Sequence, residues 1–153
     1  MSNPVKPIPD GYHSVTPYLY LRDASSLIEF YKKVFGATEL LRMNGPGGLI
    51  GHAELQIGSS RIMLADESPN MQALSPMHYG GASSSFMLYV ENVDEVVAQA
   101  VAAGAKITRP IADQFYGDRM GGIEDRSGQR WHIATHIKDV TPEELQQGAA
   151  AAS

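Results

Sequence analysis

The segment Thr16–Tyr31, with the sequence TPYLYLRDASSLIEFY, joins a strand to a helix. Leu19 and Leu21 alternate with polar and aromatic residues, which predicts a strand over Val15–Leu21 whose two faces differ in polarity. Because Pro17 has no backbone N–H to donate to a neighbouring strand, we expect this strand to start near Pro17 or to lie at a sheet edge.

The rest of this segment and the residues after it complete a β-α-β-β-β module. Asp23 is placed to cap a helix over Ala24–Phe35, whose apolar residues form one stripe, and Gly36 is a typical helix terminator. Three further strands are predicted after the helix, at Ala37–Met43, Leu49–Ile57 and Arg61–Asp66.

The same order of elements returns later in the chain. The pair Leu19-Tyr20 recurs as Leu88-Tyr89, 69 residues later, and the apolar stripes of the two helices align at the same offset. Asn92 and Glu95 form a capping box for the second helix. The second set of elements comprises strand Ser85–Val90, helix Val93–Ala103, strand Ala105–Arg109, loop Pro110–Asp118, strand Arg119–Glu124 and strand Gln129–His136. Two similar modules in tandem indicate duplication or fusion and a pseudo-twofold arrangement.

These patterns divide the chain into four parts. The first module occupies residues 14–67 and the second residues 84–137. The linker between them, residues 68–83, is long enough that it could also cover a site. Residues 138–153 are expected to form a short helix, which begins at Thr141 and Pro142, and a flexible tail from Gly148.

Composition limits the classes of function. The chain has 153 residues, no cysteine and a formal net charge of −5, and no basic cluster interrupts that charge. We therefore expect no disulfide, no thiolate metal site and no nucleic-acid partner. No run reaches the roughly 20 apolar residues of a membrane-spanning helix, and Met1–Asp10 lacks the apolar centre of a secretory signal. We expect a cytoplasmic protein with a small-molecule partner.

Several motifs resemble the vicinal-oxygen-chelate superfamily, which includes glyoxalases, bleomycin-resistance proteins and dioxygenases. The resemblance covers Val15–His136 and rests on Thr16–Tyr31, the FGA of Phe35–Ala37, the DRSGQRW of Asp125–Trp131 and the tandem module order. HAEL at His52–Leu55 and DQFYGDR at Asp113–Arg119 resemble its PhnB-like branch. The resemblance implies an α+β fold in which tandem βαβββ modules form curled mixed sheets.

Strand alternation assigns every side chain to one of two faces. The core face is predicted to carry Leu19, Leu21, Ala53, Leu55, Ile57, Ile62, Leu64, Phe86, Leu88, Val90, Trp131 and Ile133. The opposite face carries Thr16, Tyr18, Tyr20, His52, Glu54, Met63, Ser85, Met87, Tyr89, His132, Ala134 and His136, among others. This second face could be an ordinary solvated sheet surface. The family resemblance instead implies the wall of a ligand cavity.

The resemblance also locates the family's metal ligands, at Thr16, Met63, Ser85 and His132. Of these four side chains only His132 is a good ligand for a divalent metal, so we expect no metal at the usual position and no cofactor. His52 and Glu54 point the same way from one strand and could form a substitute site with His132. Alternatively, His52 and Glu54 could bond each other or pair with Arg61.

The sequence thus favours a protein that binds a small, partly aromatic or apolar molecule without chemistry, as bleomycin-resistance proteins do. Ten ligand-binding residues are predicted: Thr16, Tyr18, Tyr20, His52, Glu54, Met63, Ser85, Met87, Tyr89 and His132. The alternative is a metal-dependent lyase, isomerase or dioxygenase that uses His52, Glu54 and His132, with Glu54 or His132 as a possible general base. A purely structural role is a third possibility. The resemblance also implies a homodimer, the commonest symmetric oligomer.

Overall fold

The computed structural model describes residues 3–152 of the chain. Its backbone forms two compact units, the first ending at Ser75 and the second beginning at Pro76, inside the predicted linker. Each unit has one four-stranded sheet with a helix on one face, in the order β-α-β-β-β. The α+β fold with tandem βαβββ modules is therefore confirmed. No helix among the described residues combines the length and the apolarity needed to cross a membrane.

In its described part, residues 3–75, the first unit contains one α-helix and four strands. Its elements are β1 (Tyr18–Leu21), α1 (Ala24–Phe35), β2 (Thr38–Asn44), β3 (Ile50–Ile57) and β4 (Ser60–Asp66). The strand order is β1-β4-β3-β2, with β1 parallel to β4 and the other neighbours antiparallel. β3 and β4 are therefore central, and β1 lies at an edge of the sheet.

The second unit repeats this plan and adds a helix. Its elements are β5 (Ser85–Tyr89), α2 (Val93–Ala102), β6 (Lys106–Asp113), β7 (Asp118–Glu124), β8 (Arg130–His136) and α3 (Pro142–Ala151). The strand order is β5-β8-β7-β6, and β5 is parallel to β8 as β1 is to β4. The equivalent order of the two sheets supports the repeat read from the sequence.

Strand β1 is shorter than predicted, although its edge position is confirmed. It begins at Tyr18 rather than Val15. Pro17 offers no donor, and its carbonyl accepts the backbone N–H of Met63 at 2.9 Å. The first strand of the sheet therefore starts immediately after the proline.

The start of helix α1 is held by a residue that the sequence did not single out. Asp23 adopts a left-handed conformation, and its carboxylate accepts from the Ser26 hydroxyl instead of capping the backbone. Asp66, at the end of β4, accepts from the backbone N–H of Ala24 at 2.9 Å and from that of Ile50 at 2.7 Å. The predicted cap is wrong because Asp66, distant in sequence, satisfies the helix terminus.

Strand β6 continues through the segment that was predicted to be a loop. It runs past Pro110 to Asp113, with irregular register on both sides of Arg109. An edge strand tolerates proline because one of its sides needs no donor. A Cβ added to Gly121 on β7 would lie 2.7 Å from Ile111 Cγ1, so this glycine allows β6 to approach β7 closely.

Helix α3 is longer than the sequence indicated. The Thr141 hydroxyl accepts from the backbone N–H of Glu144 at 3.1 Å, as the predicted start requires. The helix then continues to Ala151. The segment predicted to be frayed is thus helical as far as Ala151, because alanine has the highest helix propensity. Ser153 lies outside the described residues.

The core follows the predicted faces closely. The predicted core residues with less than a tenth of their surface exposed are Leu19, Leu21, Ala53, Leu55, Ile57, Ile62, Leu64, Trp131 and Ile133. Phe86, Leu88 and Val90 on or beside β5 are only half-buried. Ala134, predicted on the opposite face, is fully buried, as is its partner Met120 on β7.

Candidate functional site

Five of the predicted site residues lie on the face of the first sheet that is opposite α1. Tyr18 and Tyr20 are each 41% exposed, whereas His52, Glu54 and Met63 are half-buried. A sheet face that carries partly exposed aromatic rings beside shielded polar groups differs from an ordinary solvated surface. Thr16 is half-buried and precedes β1.

Tyr18, His52 and Glu54 form a chain of hydrogen bonds. The Tyr18 hydroxyl lies 2.8 Å from His52 Nδ1, and His52 Nε2 lies 2.9 Å from Glu54 Oε2. An ionised carboxylate can only accept, so Nε2 donates to Glu54; in a neutral imidazole Nδ1 then accepts from the Tyr18 hydroxyl. The prediction that His52 and Glu54 bond each other is confirmed. Their pairing with Arg61 is not observed, since the Arg61 side chain donates to Gln56 and to a backbone carbonyl.

Tyr18 keeps its proton more firmly than an ordinary tyrosine. Burial of the phenol raises its pKa, and the neighbouring Tyr20 raises it further. The ring centroids of the two tyrosines are 5.4 Å apart and tilted, and the Tyr18 and His52 rings are 5.5 Å apart. The site therefore presents a neutral hydroxyl, oriented by His52, within an aromatic wall.

A cavity of about 600 Å³ opens beside this wall in the first unit. Its lining joins the end of β1, the start of β3, the turn before it and the segment after β4. The lining residues are Tyr18, Tyr20, Gly45, Pro46, Leu49, Ile50, Gly51, Ala65, Asp66, Glu67, Ser68, Asn70, Met71 and Ala73. The volume is within the range typical of small-molecule sites, and apolar side chains outnumber polar ones.

The segment after β4, which lines this cavity, is held in place by hydrogen bonds. Ser68 and Ala73 form an isolated antiparallel bridge, and the Glu67 carboxylate accepts from the backbone N–H of Ser75 at 2.9 Å. Arg22 donates to the other oxygen of Glu67 at 2.6 Å. The sequence reading of this linker as a segment that could cover a site agrees with its place in the cavity wall.

The second unit has a smaller and more polar pocket of about 310 Å³. It is lined by Ala82, Ser83, Ser84, Ser85, Thr108, Arg109, Arg130, Trp131 and His132. His132 Nδ1 is buried and has no hydrogen-bond partner among residues 3–152. The structure thus brings together two predicted site residues, Ser85 and His132, in this unit. Met87 and Tyr89 are exposed on β5 and do not line this pocket.

Tyr89 belongs instead to an acidic cluster that the sequence did not reveal. Its hydroxyl donates to Asp118 Oδ2 at 2.9 Å, and Asp118 Oδ1 lies 2.8 Å from His136 Nδ1. His136 Nε2 also contacts Asp139 at 2.7 Å. The bond to Asp118 raises the pKa of Tyr89, and Asp139 and Asp118 raise that of His136. In the sequence, the DQFYGDR motif of Asp113–Arg119 was the feature that contained part of this cluster. Its last aspartate, Asp118, was predicted to lie in a loop.

The residues at the usual chelating positions do not fit a divalent metal. Threonine, methionine and serine at Thr16, Met63 and Ser85 are poor ligands, which leaves His132 alone. Among residues 3–152 no group of three or more histidine, aspartate or glutamate side chains could hold a metal ion. Both ring nitrogens of His52 are already hydrogen-bonded, so the substitute site would have to break one of these bonds.

Comparisons with known proteins agree with the fold. An uncharacterised protein of Mycobacterium bovis is 36% identical over 136 residues, which is 87% of this chain and 90% of that protein. The crystal structure of TioX from Micromonospora sp. ML1 matches with a TM-score of 0.62 and 26% identity, over 84% of this chain and all of that one. The X-ray structure of a gene product from Arabidopsis thaliana matches with a TM-score of 0.66 and 24% identity, over 80% of this chain and 98% of that one.

A family model gives the same result from sequence. It matches residues 12–133, which include the first module, most of the second and every predicted site residue. This match extends over most of the chain and agrees with the resemblance carried by Thr16–Tyr31. The chain therefore belongs to the Glyoxalase/Bleomycin resistance protein/Dioxygenase superfamily.

Proposed function

We propose that the protein binds a small, partly aromatic or apolar organic molecule in the cavity of the first unit, without a metal at the usual position. The observation that carries this proposal is the cavity of about 600 Å³ walled by Tyr18 and Tyr20. Aromatic rings bind flat apolar ligands by stacking or edge contacts, and the shielded polar groups beside them orient the ligand.

The predicted residues divide this role between them. In the first unit Tyr18 and Tyr20 line the cavity and pack the ligand, and His52 and Glu54 orient the Tyr18 hydroxyl. Thr16 and Met63 do not line the cavity, and a contact of either with the ligand stays a prediction. For the second unit we propose an equivalent role for the four remaining predicted residues: Ser85, Met87, Tyr89 and His132. Of these, Ser85 and His132 line a pocket.

A catalytic function is the second candidate, and the Tyr18–His52–Glu54 chain favours it. A hydroxyl bonded to an imidazole that is itself bonded to a carboxylate is an arrangement suited to proton transfer. The metal-dependent form of this candidate would use His52, Glu54 and His132, and its activity would be lost with a chelator. The homodimer and the cytoplasmic location stay predictions; a monomer mass by light scattering would contradict the first.

Thermal denaturation with a panel of naphthalene- and indole-sized compounds tests the binding proposal. In buffer with EDTA, at least one compound should raise the Tm, because a ligand that binds only the folded state stabilises it. Tyr20→Ala should weaken the binding of that compound about tenfold, equivalent to roughly 1.4 kcal/mol of binding free energy. The matched control is Tyr79→Ala, an exposed tyrosine that does not line the cavity.

Three results would contradict the proposal. The first is the absence of stabilisation by any compound of the panel. The second is stabilisation that requires an added divalent metal, which would favour the metal-dependent enzyme. The third is equal weakening by Tyr20→Ala and Tyr79→Ala, which would place the binding outside the cavity.

A further inference from the structure

We infer that Tyr18 acts toward the cavity ligand as a hydrogen-bond acceptor, so that the preferred ligands are aromatic compounds with an O–H or N–H donor, phenols among them. This inference rests on the proposed function, because it concerns a ligand held beside Tyr18. It adds a chemical class to a cavity whose shape alone requires only an apolar molecule.

An ionised Glu54 fixes the direction of both hydrogen bonds of His52. Glu54 is only 16% exposed and lies 2.9 Å from His52 Nε2, so its ionised form accepts the proton that this nitrogen carries. A neutral imidazole carries one proton only. Nδ1 therefore has a free lone pair, and the Tyr18 hydroxyl at 2.8 Å donates to it.

The hydrogen bond to His52 limits what the Tyr18 oxygen can offer a ligand. The phenol of Tyr18 has one hydroxyl proton, and the hydroxyl donates it in the hydrogen bond to His52 Nδ1. The only hydrogen-bonding capacity left on the Tyr18 oxygen is its lone pairs, which accept and cannot donate. The raised pKa of Tyr18, caused by burial and by Tyr20, keeps the phenol from ionising and so preserves this arrangement.

The hydrogen-bonded chain Tyr18–His52–Glu54 is held by the strands that carry it and by the partial burial of its members. Strand β4 lies between β1 and β3, so Tyr18 reaches across β4 to contact His52. Ala65 on β4 is paired with Tyr20 and is buried. His52 is 22% exposed and Glu54 16%, so water competes weakly for their shared hydrogen bond. With a neutral His52, a reversed orientation of the chain would need Glu54 to be protonated.

The Tyr18 oxygen selects among ligands by the group that each ligand places against it. A ligand acceptor placed against the Tyr18 oxygen would meet a second lone pair, and both groups would lose their bonds to water. A ligand donor in the same place would be satisfied. The Tyr18 oxygen therefore disfavours ligands that place an ether or carbonyl oxygen against it, and it does not disfavour apolar groups in general.

A matched ligand pair tests this inference. The pair is 2-naphthol and 2-methoxynaphthalene, with binding measured by titration at pH 8, where an ordinary imidazole is neutral. We expect 2-naphthol to bind the wild-type protein about tenfold more tightly, although the ether is more apolar and simple hydrophobic binding would favour it. Tyr18→Phe should remove the preference, whereas the matched control Tyr20→Phe should retain it.

A second readout needs no ligand. Long-range proton–nitrogen NMR correlation of the His52 ring reports which nitrogen carries the proton. We expect Nε2–H in the wild-type protein. A proton found on Nδ1 would overturn the inference whatever the ligands do.

The outcomes separate the inference from the proposed function. If both naphthalenes bind equally, or the ether binds better, the inference is overturned while binding in the cavity stands. If neither binds and no aromatic compound of the thermal panel binds either, the proposed function is overturned and the inference falls with it. A naphthol preference that survives Tyr18→Phe also overturns the inference, because the donor is then recognised elsewhere.

Discussion

The carboxylate of Glu67 and the backbone N–H of Ser75 lie 2.9 Å apart, and their hydrogen bond closes the segment that lines the cavity of the first unit. This bond, followed by the ion pair with Arg22, lowers the pKa of Glu67 from 4.5 to about 2. The ionised form of Glu67 is therefore favoured in the folded protein.

This lowered pKa predicts how stability depends on pH. Because the folded-state pKa lies below the unfolded value, the contribution of Glu67 is complete above about pH 4.5 and is lost as the pH falls to about 2. Urea denaturation should show Glu67→Gln less stable than wild type at pH 6, with the difference gone near pH 2. The exposed Glu91→Gln should show a much smaller difference at pH 6, and an equal one would contradict the prediction.

Asp66 is predicted to be a major determinant of stability in the first unit. Asp66→Ala leaves the N–H of Ala24, at the start of α1, and that of Ile50 without their acceptor. Each unsatisfied buried donor costs about 1–3 kcal/mol. We therefore expect chemical denaturation to show a free energy of unfolding that is lower by at least about 2 kcal/mol. Asp23→Asn is the control and should cost less than about 0.5 kcal/mol, since Asn tolerates the left-handed conformation of Asp23. A similar loss in both variants would argue against this role of Asp66.

Close contact between β6 and β7 is predicted to depend on Gly121. Its substitution Gly121→Ala places a Cβ 2.7 Å from Ile111 Cγ1, and overpacking of this kind costs about 1–3 kcal/mol. In the double variant with Ile111→Ala the nearest remaining atoms would be about 3.5 Å away. The free energy of unfolding of the double variant should therefore exceed the value expected from adding the two single losses. Strict additivity would mean that the contact is not the cause.

His136 is predicted to titrate above the ordinary range of histidine. Asp139 and then Asp118 hold its pKa above 6.5, so the stability that this pairing contributes is present below about pH 6.5 and is lost as the pH rises through the folded-state value. Asp139→Asn should lower the pKa of His136 in an NMR titration. Glu143→Gln, an exposed change in the first turn of α3, should leave it nearly unchanged. A His136 titration at 6.5 in the wild-type protein would refute the pairing.

Much of the fold could be predicted because secondary structure reflects local pattern. The bounds of α1 were predicted to the residue, since its apolar stripe and Gly36 are both encoded within twelve or so positions. Strand boundaries were less accurate where proline was involved. Strand β1 begins only after Pro17, whereas β6 continues through Pro110. The effect of a proline depends on whether its side of the strand pairs with a neighbour, because proline has no backbone N–H to donate.

The site was predicted in part. Alternation placed Tyr18 and Tyr20 on the face opposite α1, and the structure finds both in the cavity wall. Asp66 and Asp118 were missed as organising residues. The backbone donors that Asp66 satisfies are 42 and 16 positions away, and the partners of Asp118 are 29 and 18 positions away. Sequence spacing carries no information about such pairs.

Residue type and local pattern are sufficient to predict the two βαβββ modules, the side of each sheet that packs under a helix and the absence of good ligands at three of the usual chelating positions. These properties depend on residue type and on position along one element. Which residues of the open face contact each other depends on how the strands pair in three dimensions. Tyr18 contacts His52 because β1, β4 and β3 pair in one particular register, and a shift of one residue in any strand would turn its side chains to the other face.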